Sequence, residues 1–165
     1  MEEAILDRLD KHQPKELLVN VLLETNQNVA TLPDYVLKAF TACNKPVIKE
    51  ITPMLMRQIL KESPSSYGNL GRMEKLKLLA FTLNCIDENF ADLVGLELLP
   101  VSSGAFKCFA SPSNCDKAVY VCSADHPRKM FPCLDHQFLD QDLDGNLLEM
   151  IKKVAKKGMN DTRML

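Results

Sequence analysis

The chain has no tryptophan, only three tyrosines and only six glycines in 165 residues, and each shortage excludes a class of function. No two glycines are spaced Gly-x-Gly, and none opens a Gly-Lys-Ser or Gly-Lys-Thr ending. The backbone loops that cradle nucleotide phosphates are therefore absent. With aromatic residues at 6% and none interleaved with basic ones, there is no stacking platform for single-stranded nucleic acid. Neither sign of charge is in excess. Twenty basic and twenty-two acidic side chains leave a net charge of -2, too weak a field for a general nucleic-acid binder, so no nucleic-acid partner is expected. No apolar run approaches the ~18 residues of a membrane span. The opening residues, Met1 to Asp7, are acidic and lack a basic n-region, and the expected location is cytoplasmic. What remains is an ordinary globular balance of 46% hydrophobic and 25% charged residues, enough to bury a core without staples.

Of the six cysteines, at 43, 85, 108, 115, 122 and 133, Cys43, Cys85 and Cys122 fall on apolar segments, where a thiol acts as a small hydrophobe. The expectation is a reduced protein. Zinc is the sharper alternative, because the second half gathers Cys108, Cys115, Cys122, His126, Cys133 and His136. Structural zinc usually draws on two closely spaced ligand pairs, and only Cys133 and His136 form one. Calcium is the other metal to weigh. Asp140, Asp142, Asp144 and Gly145 match the first, third, fifth and sixth positions of an EF-hand loop over residues 140–151. Ile151 stands where the bidentate glutamate belongs, however, and Glu149 comes two residues early. The competing explanation is that acidic residues favour a helix start, with Asp144 as its cap. Lys152, Lys153, Lys156 and Lys157 sit on the same closing segment, where cations near a helix C-terminus are common. No nucleophile is paired with a base, so no catalytic, cofactor-binding or metal residue is assigned and no enzyme activity is expected.

Hydrophobic periodicity divides the chain. Residues up to about 90 read as helices, with apolar stripes at Ile5, Leu6 and Leu9 and at Leu17, Leu18, Val21 and Leu22. A further helix is expected from Pro33 to Phe40, and Thr52-Pro53 places a capping hydroxyl and an N1 proline before Leu55, Met56, Ile59 and Leu60. Residues 63–68 form a loop by composition, and Met73, Leu76, Leu79, Leu83 and Ile86 predict a helix over about 72–86. A hairpin and small sheet are expected over about 91–140, with Gly104 supplying the turn and Val119 to Cys122 a further strand. Leu147, Leu148, Ile151, Val154 and Ala155 mark a closing helix over about 144–158, with Gly158 as its terminator. The fold class is α+β: an N-terminal helical half, a small mainly antiparallel sheet, then a C-terminal helix, forming a single module over 1–165.

Three stretches carry a resemblance: ITPMLMRQIL at 51–60, DLVGLELLPVSSGAF at 92–106 and VYVCSADHPRKMFPCLDHQFLD at 119–140. Together they resemble a repeat segment of the sacsin family, very large multidomain proteins linked to chaperone systems. In that family a Gly-Leu-x-Leu-Leu-Pro hairpin closing on Gly-x-Phe precedes a hydrophobic strand, a serine and a Phe-Pro-x-Leu turn. Here those features fall at Gly95 to Pro100, Gly104 to Phe106, Val119 to Ser123 and Phe131 to Leu134. The similarity runs from about residue 31 to the end. Such repeats begin with an ATPase-like region built on glycine-rich and Asn/Asp motifs. Asn89 and Asp92 echo one of them only superficially, since Leu93 follows Asp92. The resemblance thus implies a non-ATPase piece of a larger protein, with neighbouring domains and chaperone or client proteins as its partners. No catalytic residue carries over.

Overall fold

The computed structural model describes residues 4–6, 14–25, 28–30, 48–84, 91–110, 119–121 and 132–161. The fold is α+β, and the chain divides into two compact units, residues 1–82 and 83–165.

In the first unit, strand β1 (Ala4–Leu6) is the middle of a three-stranded parallel sheet, with β2 (Asn28–Ala30) on one side and β3 (Ile48–Glu50) on the other. Ile5 stands opposite Val29 across one ladder and Lys49 across the other. This corrects the expectation of an all-helical first ninety residues. A run as short as Ala4-Ile5-Leu6 carries no usable period, so helix and strand are indistinguishable by pattern alone. Parallel neighbours require a crossover, and helix α1 (Lys15–Glu24) lies in the connection from β1 to β2. The helix buries Leu18, Val21 and Leu22 at the expected helical spacing. The helix expected between Pro33 and Phe40 lies outside the described residues.

Helix α2 (Pro53–Glu62) begins as its sequence dictates. Thr52 is extended, its Oγ1 accepts a hydrogen bond from the Leu55 amide at 3.2 Å, and Pro53 takes the first helical position. Met56, Ile59 and Leu60 are buried, and so, unexpectedly, is Arg57. The Ser63 to Gly68 stretch, expected as a loop, contains a single helical turn, α3 (Ser65–Gly68), which seats Tyr67 in the core. Helix α4 (Arg72–Leu83) starts with the Glu74 carboxylate accepting from the Gly71 amide at 2.9 Å, one half of a capping box. Its burial differs from the expected stripe. Met73 is 66% exposed, whereas Leu78, Leu79, Phe81, Thr82 and Leu83 are all buried. The first turns carry Arg72, Glu74, Lys75 and Lys77 and stay at the surface, and the later turns are buried except at Ala80, so one stripe cannot describe both.

In the second unit, strands β4 (Glu97–Pro100) and β5 (Phe106–Cys108) form the expected antiparallel hairpin. Gly104, at φ 86°, closes it by donating to the Val101 carbonyl at 2.9 Å. Between Glu97 and Leu99 the register shifts, so β4 carries an extra residue and strict alternation breaks. Leu98 and Leu99 are both buried in consequence. The closing helix α5 (Gly145–Asp161) turns Leu147 and Ile151 inward. It continues through Gly158 rather than stopping there. A glycine inside a helix costs about 1 kcal/mol against alanine, which weakens a helix without ending it.

Candidate functional site

The described residues considered for chemistry belong to the second unit, where a short segment, 137–140, runs between two neighbours. On one side it pairs with the end of the hairpin: Ser102 N–H donates to the Phe138 carbonyl at 2.9 Å and Asp140 N–H to the Pro100 carbonyl at 3.1 Å. On the other side, Tyr120 N–H donates to the Gln137 carbonyl at 2.7 Å, and its own carbonyl accepts from Leu139 N–H at 2.9 Å. Residues 119–121 thus form the outer strand of a three-ply patch, bridged in parallel through Tyr120 and Phe138. The strand signal at Val119 to Val121 was legible, and Cys122 lies outside the described residues. The central Phe138-Leu139 segment was not anticipated. It follows a 3₁₀ helix (Pro132–Gln137), and neither flank shows alternation. Leu139 is fully enclosed, Phe138 is buried, and the Tyr120 ring tilts against Phe138 at a centroid distance of 6.1 Å.

The acidic loop that follows does structural work. Asp140 is buried and its Oδ1 accepts from the Asp142 amide at 3.0 Å, closing an Asx turn. Asp144 caps α5: its Oδ2 accepts from the Asn146 amide at 3.0 Å, and its carbonyl takes the Leu148 amide at 2.9 Å. Asp142 and Asp144 are exposed. Among the described residues, no three His, Cys, Asp or Glu side chains converge as an ion-binding group. Of the cysteine and histidine set, Cys108, Cys133 and His136 are exposed, the two thiols are free, and Cys115, Cys122 and His126 lie outside the described residues. On α5, Lys152 pairs with Glu149 at 2.9 Å and Lys153 faces solvent. Among the described residues, no helix is long and apolar enough to cross a membrane.

The fold is α+β, and beside this patch Asp140 closes a turn and Asp144 caps a helix. No family model matches the chain, and no solved structure matches it. It is similar to sacsin of Homo sapiens, with 30% identity over 161 residues. The match takes in 94% of this chain and 3% of sacsin. The chain is a sacsin-related segment, as the three stretches of the sequence had implied, and it spans a small fraction of that relative's length.

Proposed function

We propose that this chain is a non-catalytic protein-interaction module of a sacsin-like co-chaperone scaffold, acting in protein folding and quality control in the cytoplasm. Its partners are neighbouring domains of the same large protein and chaperone or client proteins. The observation that carries this reading is the similarity to sacsin along almost the whole chain. The use of Asp140 and Asp144 for a turn and a cap supports it, since those carboxylates are committed to the backbone. A reduced, aggregating model polypeptide tests the client arm by light scattering. The expected result is suppression that saturates near stoichiometric amounts of folded chain. Scattering unchanged at a several-fold excess, together with no binding to adjoining segments of the parent protein, refutes the proposal.

A further inference from the structure

The outer strand of the three-ply patch has a second edge. In a strand, successive residues direct their backbone groups to opposite sides, so with both Tyr120 groups turned inward, those of Val119 and Val121 turn outward. Among the described residues, neither valine has a backbone hydrogen-bond partner. The Tyr120 side chain is 52% exposed and Val121 is 37% exposed. An open edge with apolar side chains and no charge is a template for another strand, and here nothing in the segment itself opposes pairing.

We propose that this edge pairs with the same edge of a second copy of the chain, antiparallel about a twofold axis. The basis is that Val119-Tyr120-Val121 is palindromic about Tyr120. A twofold axis through that point sets Val119 opposite the second copy's Val121 at both ends. All four outward backbone groups on each strand are then satisfied by main-chain bonds. Tyr120 falls opposite its symmetry mate at the closely spaced, non-hydrogen-bonded position, where aromatic pairs interact well. The strand carries no charge, and a net charge of -2 per chain gives little repulsion. The contact is far smaller than a standard interface, so the dimer is weak and concentration-dependent. This inference is independent of the sacsin-like scaffold reading.

Sedimentation velocity of the full chain from micromolar to millimolar concentration tests it. The expected result is a reversible monomer–dimer equilibrium that Val121→Pro weakens at least about tenfold, because proline removes an outward N–H and spares both Tyr120 bonds. Tyr120→Cys supplies a second readout that leaves the backbone intact: mild oxidation should cross-link it as a dimer well beyond wild type. A Ser103→Cys control at the hairpin tip should not cross-link in this way. A wild-type chain monomeric throughout overturns the proposal, as does a dimer that a folded Val121→Pro variant leaves unchanged. If Val121→Pro fails to fold, the Tyr120→Cys yield decides, and a yield no greater than that of wild type overturns the proposal.

Discussion

Replacing Arg57 offers the sharpest test of how the first unit is held together. Its guanidinium is fully buried on α2, and Nη1 donates to the Thr82 carbonyl at 3.3 Å. Thr82 belongs to the last turn of α4, where carbonyls have no partner within the helix and negative partial charge accumulates. Arg57 therefore acts as a cap delivered from a neighbouring helix. Arg57→Ala removes a hydrogen bond with a charged donor, worth about 1.5–3 kcal/mol. It also removes two buried methylenes beyond Cβ, about 1.6 kcal/mol at ~0.8 each. Relief from holding a charge out of water offsets part of that sum. The net expectation is a loss of about 2–4 kcal/mol, a large share of the roughly 5–15 kcal/mol typical of a domain. Arg57→Met keeps the stem and removes the charge, so it should lie within about 1 kcal/mol of wild type. Urea titration at constant m-value measures both. An alanine variant within about 0.5 kcal/mol of wild type, or a methionine variant less stable than the alanine one, refutes the reasoning.

Other substitutions probe single local devices. Thr52→Ala removes the acceptor for the Leu55 amide and should cost about 1 kcal/mol by the same titration. At Gly104, alanine meets no neighbour within 4 Å, so the expected loss of about 1–2 kcal/mol comes from its positive φ alone, and an unchanged midpoint contradicts this. Asp140→Ala orphans the Asp142 amide and should cost about 1–3 kcal/mol, whereas millimolar calcium should move the wild-type melting temperature by less than about 1 °C. A clear calcium-dependent rise would instead identify loop 140–151 as an ion site.

These devices were legible in advance because they are local. Thr52-Pro53, Gly104 and Asp144 each satisfy or strain the backbone within four residues, and their chemistry is the same in any surroundings. The parallel sheet was not legible. β1, β2 and β3 are three residues each, and their pairing joins positions more than twenty residues apart. Arg57 was hidden for a related reason: an arginine on a helix reads as solvated until the end of another helix is laid beside it. In the candidate site, the Val119 to Val121 strand announced itself by β-branched residues. Its partner at Phe138 and Leu139 depends on the hairpin end and on Tyr120, which no local pattern encodes. The acidic run was visible, but the turn that Asp140 closes on the Asp142 amide depends on a backbone path that the residue types alone leave open.

Calorimetric titration of the folded chain with magnesium and ATP, followed by phosphate release on the same sample, bears most directly on the proposal that this chain binds proteins without doing chemistry. The account predicts no saturable heat and no phosphate above the protein-free rate. A stoichiometric binding isotherm accompanied by turnover would contradict it.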